Sequence, residues 1–471
     1  MSYEAFEEDV LKAADAFKQW DKGETVRVIS HLDADGIASC SILIRMLNRD
    51  NRKYSISIVQ QLKEETLQEL GKEPYKHYIF SDLGSGQLNA IEKFLKGRNV
   101  LILDHHKPET EKESKDILQI NPCLHGIEGS REISGAGVAY WFAKTLDMEM
   151  EKAAHIAIIG AIGDVQEQNG FLHMNDEILK TAVKHRKIKV ERGLRMFGLQ
   201  GRPLHKVLEY STDPYIPGVS GSESGSIQFL QQLGIDPKRG SGWKRMIDLS
   251  EDEKKKLVSG IVMKRLNEEK PEDILGNIYT LLEEKEDSIT RNAKEFATLL
   301  NACGRMGKAS LGIGACLGDK RIKEKAIKSM SEYRREIVNA LRWYENKSNN
   351  SSIIRENRLI VINAGSGIMP TLIGTLASII SKSNGIKENT FVMGLARMLD
   401  GTTKVSLRLS GKKRDDISLR DLIKSITDRV GGEAGGHVHA AGALISSEKE
   451  ETFIEATREI LGKIAMEEFV D

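Results

Sequence analysis

Four short stretches carry residues able to bind metal ions. They are HLDADG with His31, Asp33 and Asp35; SDLGSG with Asp82; LDHH with Asp104, His105 and His106; and GDVQE with Asp164. Each directly follows an apolar run. A single Asp after a strand is most simply a helix N-cap, and a lone His beside a core is usually a satisfied structural histidine. Four such clusters, each at the end of an apolar element, are poorly explained in that way. The donors are carboxylate oxygens and imidazole nitrogens without thiolate, a set that favours Mn2+, Mg2+ or Fe2+ over structural zinc. The carboxylates are too many for one ion. They suit two, typically about 3.5–4 Å apart, bridged by one carboxylate and a water. Such a pair makes hydroxide available near neutral pH and stabilises in-line displacement at phosphorus, so the chemistry expected is phosphoester hydrolysis.

The elements that must bring these clusters together are legible too. VRVIS, YSISIVQQ, HYIFSDL and NVLILD read as short, apolar, β-branched strands. They alternate with helical stretches such as GIASCSILIRML and AIEKFLK, the pattern of a parallel sheet covered on both faces. The carboxyl ends of such strands share one edge, where these folds bind ligands, so distant clusters converge. SGAGVAYWFAKTL opens a helix with Ser134 as N-cap. AAHIAIIGAIGD reads as a buried helix whose end carries Asp164 toward the same site.

The chain has 471 residues, 40% of them hydrophobic, enough for two or three domains. Its 69 basic and 69 acidic side chains balance, so any nucleic-acid surface must be local. Aromatics at 6% advertise no broad stacking platform. Cys40, Cys123, Cys303 and Cys316 form no C-x-x-C pair, which argues against a zinc ribbon or disulfide framework and fits a reducing cytosol. The N-terminus is acidic and helix-patterned, with no basic region before an apolar core. The most apolar windows, IAIIGAIG and TLIGTLASII, are too short to span a bilayer. A cytoplasmic protein without a membrane partner is expected.

Residues 1–190 are expected to form the α/β domain that bears the metal-type residues, and 191–310 a helical insertion or middle region. Its charged stretches, such as LSEDEKKKLVSGIVMKRL, are most simply solvated faces. Over 311–350, apolar residues at Ile322, Ala326, Met330, Tyr333, Ile337, Leu341 and Tyr344 recur in steps of three and four, predicting a long connecting helix. Residues 351–471 start a second α/β pattern. There TFVMGLARML and KVSLRLS form a hairpin across DGTT, and GGEAGGHVHAAG reads as a glycine-rich turn.

HLDADG, SDLGSG, LDHH and GDVQE, in that order, resemble the four motifs of the DHH phosphoesterases. KVSLRLSG followed by GGEAGGHVHAAG resembles the accompanying DHHA1 domain. RNAKEFATLLNACGRMG, from Arg291 to Gly307, resembles the stretch that joins both in RecJ-type nucleases. Order and length are most similar to the archaeal RecJ-like exonucleases, which include the GINS-associated nuclease. The resemblance implies an N-terminal parallel-sheet DHH domain, a helical insertion, a long connecting helix and a C-terminal α/β DHHA1 domain, with a groove between the two α/β domains. It further implies a metal-dependent exonuclease with two divalent ions, Mn2+ foremost and Mg2+ as the alternative. Such an enzyme would act on single-stranded DNA, 5′ to 3′, and also on RNA, in DNA replication and repair through GINS. Two alternatives stay open within the resemblance. One is a phosphodiesterase of cyclic dinucleotides or short oligonucleotides; the other is a replisome scaffold of the same fold, whose eukaryotic representative has lost the metal site.

Carried over by residue, the resemblance implies that His31 and Asp33 hold the first ion and Asp35, His105 and Asp164 the second, with Asp82 bridging. His106 would face the scissile phosphate, as proton donor or positive charge on the developing oxyanion. Asp104 would orient the histidines. Arg305, Ser406 and Arg408 would contact backbone and terminal phosphates, for which a guanidinium fork is suited. Gly431, Gly432, Gly435 and Gly436 would let backbone N–H groups approach an anion, and His437 would add a donor. GGEAGG stands here where simpler members have an uninterrupted glycine run.

Overall fold

The structure, a computed structural model, describes residues 3–109, 117–168, 170–211, 214–267, 271–347, 350–356, 358–383, 385–411, 414 and 416–468. The side chains of His437 and of residues 465–468 lie outside that description. Two compact units divide the chain, 1–329 and 330–471.

In the first unit, α1 (Tyr3–Lys18) precedes five strands: β1 (Val26–His31), β2 (Tyr54–Val59), β3 (His77–Ser81), β4 (Asn99–Leu103) and β5 (Ile117–Ile120). They run parallel in the order β2-β1-β3-β4-β5. β3 is buried throughout and β1 nearly so, as strands covered on both faces must be. Between the strands lie α2 (Ala34–Arg49), α3 (Glu64–Lys72) and α4 (Leu88–Phe94). Side chains of α3 and α4 close a core with Ile29, Phe80 and Ile102 of the sheet. α2 packs instead against α5 (Gly135–Leu146) and α6 (Ala154–Gly163). β1 is flanked by β2 on one side and β3 on the other. The chain therefore switches direction at β1, and the crevice at such a switch is where open α/β sheets seat their ligands.

After α7 (His173–Lys184) the expected helical region is built on a strand pair. β6 (Ile188–Leu194) leads into α8 (Leu204–Glu209), α9 (Glu223–Gln232), the two-residue strands β7 (Lys238–Arg239) and β8 (Gly242–Trp243), α10 (Glu251–Lys264) and β9 (Leu275–Leu281). β9 returns antiparallel to β6 along its full length. Leu194, Leu208, Phe229, Leu257 and Ile274 form a separate core there. Each strand has a glycine, and Gly193 faces Gly276, so the alternation that marks a strand is broken. α11 (Ala293–Arg305) packs on α6 and α2, and α12 (Ala309–Cys316) on α2. The apolar spacing from Ile322 to Tyr344 falls within α13 (Lys320–Asn346), which runs across the boundary of the two units.

The second unit holds β10 (Ile353–Glu356), β11 (Leu359–Asn363), α14 (Pro370–Ser381), β12 (Phe391–Arg397), β13 (Thr402–Leu409), α15 (Leu419–Val430), β14 (Glu433–His437), β15 (Ala440–Ser446) and α16 (Glu450–Glu468). Its sheet has the order β10-β11-β12-β13-β15-β14, with β11 and β12 parallel and the other pairs antiparallel. Val361, Met393, Leu407, Ile423 and Phe453 share its core. β12 and β13 form the hairpin expected across DGTT. GGEAGG differs from the expected turn. The chain bends at Gly431 and Gly432, with φ of 92° and 134°, and from Glu433 it continues as the edge strand β14. A Cβ at Gly432 would lie 2.6 Å from the Leu444 carbonyl oxygen, so glycine is what lets the edge strand close on β15. Among the described residues, no helix is long and apolar enough to cross a membrane.

Candidate metal centre

β1 ends at His31, and two residues later Asp33 caps α2, its Oδ1 accepting the Gly36 N–H at 3.0 Å. The capping role of a lone Asp is thus filled, and a second oxygen is left over. That Oδ2 lies 2.9 Å from His31 Nδ1. Asp35, in the first turn of α2, is fully buried. It accepts the N–H groups of Gly135 at 2.6 Å and Ala136 at 3.1 Å, an anion seated on the N-terminus of α5.

β3 runs into Asp82, whose φ of +59° lies in the left-handed region that costs a non-glycine residue energy. Its carboxylate is buried, and neither oxygen accepts a well-aligned hydrogen bond. β4 runs into Asp104, which is saturated. It accepts the backbone N–H groups of Ser85 (3.0 Å), His105 (2.8 Å) and His106 (3.3 Å), and pairs with His106 Nδ1 at 2.7 Å. His105 Nδ1 bonds the Gly129 carbonyl at 2.7 Å. Its Nε2 is thereby turned to Asp82 Oδ1 at 3.2 Å, Asp164 Oδ2 at 3.3 Å and Asp35 Oδ2 at 3.7 Å. α6 ends at Asp164, and Val165 beyond it has φ +61°, rare for a β-branched residue. That sharp stop ends the helix at the carboxylate.

Three bracing residues, Gly129, Gln166 and Asn175, carry no signal of their own in the sequence. The Gly129 carbonyl receives both His105 Nδ1 and, at 3.0 Å, Gln166 Nε2; Asn175 Nδ2 in turn donates to Gln166 Oε1 at 2.6 Å. Helical glycines were a readable signal for close approach, since glycine is disfavoured there. A Cβ at Gly135 would lie 2.5 Å from Asp82 Oδ1, and one at Gly160 2.4 Å from Asp35 Oδ1.

The donors gather in overlapping groups whose ligand atoms lie within 4.8 Å of one another: His31–Asp33–Asp82, Asp35–His105–Asp164, and Asp82 with Asp104, His105 and His106. Burial is graded across them. The side chains of Asp35, Asp82 and His105 are almost sealed, while that of His106 is 36% exposed. Burial, then the charges of Asp82 and Asp164, raise the Asp35 carboxyl well above the usual range. Burial likewise pushes Asp164 up to about 7, with His105 opposing and Asp33 and Asp82 adding to the rise. Burial works against protonation of His31 and His105, but the carboxylates around them prevail and hold both well above the ordinary imidazole value. For Asp104 burial is likewise outweighed, here by His106 foremost, and its carboxyl is held low. This is a buried set of like charges short of cations. Oxygen and imidazole donors, with two unsatisfied carboxylate oxygens at their centre, fit divalent ions of the Mn2+ or Mg2+ type.

Arg305 closes α11, half-buried, directly after Gly304. Gly304 presses so closely on the Leu32 backbone of the first motif that a Cβ would overlap it, and Asn301 Oδ1 accepts the Ala34 N–H at 3.1 Å. In the second unit, Ser406 and Arg408 share the face of β13 that meets Gly374 of α14. Arg408 is engaged inside its own unit: Nε donates to Ser378 Oγ at 2.9 Å, and Nη1 to the carbonyls of Leu407 at 2.7 Å and Ala441 at 3.3 Å. Gly442 of β15 stands between Ser406 and Gly435, and Ala441 between Leu407 and Gly436. Gly431 and Gly432 lie at the bend before β14, and the side chain of His437 lies outside the described residues.

A parallel sheet with clustered carboxylates and histidines at its switch point, followed by a separate mixed α/β unit, defines the DHH class of proteins. The DHH family N-terminal domain matches residues 25–163, the DHH-CID domain 196–278 and the DHHA1 domain 356–463. The chain belongs to the RecJ-like DHH/DHHA1 superfamily. It is 32% identical to the uncharacterized protein MJ0831 of Methanocaldococcus jannaschii, over 93% of each chain. It is 27% identical to the single-stranded-DNA-specific exonuclease RecJ of Bacillus subtilis, over 35% of this chain and 22% of that one. Among solved structures, RecJ of Thermus thermophilus in complex with Mn2+ has a TM-score of 0.59 at 17% identity, covering 97% of this chain and 55% of RecJ. CDC45 of Entamoeba histolytica has a TM-score of 0.63 at 14% identity, covering 98% and 99%.

Proposed function

We propose that the protein is a divalent-metal-dependent exonuclease that hydrolyses single-stranded DNA from the 5′ end, with RNA as a second substrate. The observation that carries this reading is Asp82, a buried carboxylate without a well-aligned hydrogen bond, standing among oxygen and imidazole donors from four motifs. Bound there, Mn2+ foremost or Mg2+ supplies Lewis acidity toward a phosphoryl oxygen and an activated water. His31 and Asp33 form one half of the ligand set, Asp35, His105 and Asp164 the other, and Asp82 is shared. Asp104 takes the Nδ1 side of His106, so the opposite ring nitrogen is the one that donates to a phosphate oxygen as charge builds on it. Arg305, Ser406, Arg408, Gly435, Gly436 and His437 contact phosphates in this reading. The choice of single strands and of 5′ ends rests on the likeness to RecJ proteins.

A second reading is a replisome component that binds GINS. This chain and CDC45 cover each other almost completely, as do this chain and a manganese-bound exonuclease RecJ. The filled ligand positions speak for an enzyme. The test is digestion of end-labelled single-stranded DNA, RNA and dinucleotides in Mn2+, in Mg2+ and in EDTA. Metal-dependent release of mononucleotides from 5′-labelled single strands is expected, with duplex spared. Turnover of dinucleotides alone would make the protein a small-nucleotide phosphodiesterase, and no turnover in any metal would leave the scaffold reading.

A further inference from the structure

α11 meets the first motif near one end and the loop of the fourth motif at the other. Toward its C-terminal end, Asn301 Oδ1 accepts the Ala34 N–H at 3.1 Å and Gly304 presses on the Leu32 backbone. At its start, Asn292 caps the helix, its Oδ1 accepting the N–H groups of Lys294 at 2.9 Å and Glu295 at 3.2 Å. Lys294 Nζ then lies 3.2 Å from Oε1 of Glu167, three residues past Asp164. Glu167 is 7% exposed, and neither of its oxygens has a well-aligned hydrogen bond. The cavity beside it, of about 30 Å3, holds no more than a few waters. The Lys294 ammonium is thus the cation that pairs with this buried carboxylate.

Glu167 anchors more than itself. Val165, between Asp164 and Gln166, has φ +61°, a conformation that a β-branched residue keeps only where its surroundings enforce it. Gln166 fixes the Gly129 carbonyl to which His105 Nδ1 bonds. Beyond Glu167, Arg195 Nη1 donates to the Gln168 carbonyl at 3.1 Å, and Phe171 packs on Tyr279 of β9, their ring centroids 5.2 Å apart. Arg195 reaches the loop across Gly276, where a Cβ would lie 2.2 Å from its Cδ. We propose that Lys294 is a positioning residue of the metal centre. By pairing with Glu167 it holds the strained loop, and through the loop Asp164 and His105, in the geometry that binds an ion. Without the ammonium, Glu167 is a buried charge lacking a counterion and turns out to water. Gln166 beside it then moves, and the Gly129 carbonyl loses its second donor. The inference rests on the reading of this site as a metal centre. It assigns part of the ion affinity to the middle region, 191–310, which contributes no candidate ligand.

The test uses the full chain and Mn2+ alone as the probe, in calorimetric titrations without nucleic acid, with melting temperatures taken in EDTA. Lys294→Ala should weaken Mn2+ binding roughly tenfold, the lower end of what loss of an outer support does to a metal site. Lys294→Arg keeps the cation and should keep the parent's affinity. Lys294→Ala combined with Glu167→Gln should regain most of the loss, because a neutral amide needs no counterion. The Lys294 side chain is 54% exposed, so all three variants should melt in EDTA close to the parent. Parent-like Mn2+ affinity in Lys294→Ala would overturn the inference and leave the metal centre standing. A loss of affinity that follows a fall in the EDTA melting temperature, and that Glu167→Gln does not repair, would make the pair purely structural and also overturn it. If the parent binds no Mn2+, the metal-centre reading falls and takes the inference with it.

Discussion

The two α/β units treat their polar candidates in opposite ways. At the edge of the N-terminal sheet, Asp82 stands in a left-handed turn without a well-aligned hydrogen bond, while Asp104 and the Gly129 carbonyl hold its neighbours in place. In the C-terminal sheet, Arg408 already bonds Ser378 and two carbonyls. Unsatisfied buried acceptors are costly unless a ligand completes them. An arginine with its donors engaged costs nothing to keep. The first arrangement would be completed by a divalent ion, whereas the second is stable by itself, and in the proposed function it would lend a substrate only what remains of the guanidinium. Residues of the first kind should be hard to replace, and residues of the second kind should tolerate change.

Asp82→Ala is expected to have the largest effect, abolishing hydrolysis of single-stranded DNA in both Mn2+ and Mg2+, because Asp82 belongs to two of the three overlapping donor groups and its Oδ1 lies 3.2 Å from His105 Nε2 of the third. Substantial activity of this variant in saturating Mn2+ would remove Asp82 from the shared position and break the contrast between the units.

His106→Ala and His105→Ala should separate. The first should lower turnover by roughly a hundredfold or more with metal binding intact, the scale of a lost oxyanion donor. The second should weaken metal binding and regain part of its activity in excess Mn2+. Calorimetric titration with Mn2+ distinguishes them, and equal loss of metal binding in both would refute the division.

Mn2+ should also raise the melting temperature of the wild-type chain by several degrees. At a free concentration a hundredfold above Kd, a site present only in the folded state gains about 2.7 kcal/mol. Asp82→Ala should abolish this shift, whereas Arg408→Ala should keep it in full. Equal melting curves of the wild type in EDTA and in Mn2+ would mean that the orphaned carboxylates need no ion.

The smallest effect is expected for Arg408→Ala. It should weaken binding of single-stranded DNA several-fold and reduce the salt slope by the contribution of about one phosphate. Anisotropy titrations over a range of salt concentrations read both quantities. An unchanged slope would make Arg408 wholly structural, fastening α14 to β13 through Ser378.

Local pattern carried much of this. Strands β1, β3 and β4 are apolar runs that end in the candidate ligands, and a parallel sheet follows from strands and helices in alternation. Convergence of His31, Asp82 and His105 then follows from topology, since parallel strands share a carboxyl edge. The β6–β9 pair was not legible, because its register depends on a partner far along the chain and Gly193 and Gly276 erase the alternation. The GGEAGG stretch reads as a turn yet forms an edge strand for a related reason: glycine serves both equally well, and the choice is made by the Leu444 carbonyl across from it.

By itself, the sequence determined which residue types stand at the strand ends and therefore what kind of ion they would suit. Tertiary structure decided which donors meet, that Asp33 both caps α2 and offers an oxygen, and that Gly129 and Gln166 fix His105. The physical reason is range. Burial and periodicity are written over neighbouring residues, whereas a hydrogen bond from His105 to Gly129, or a Cβ excluded at Gly135 by Asp82, exists only after distant segments have packed.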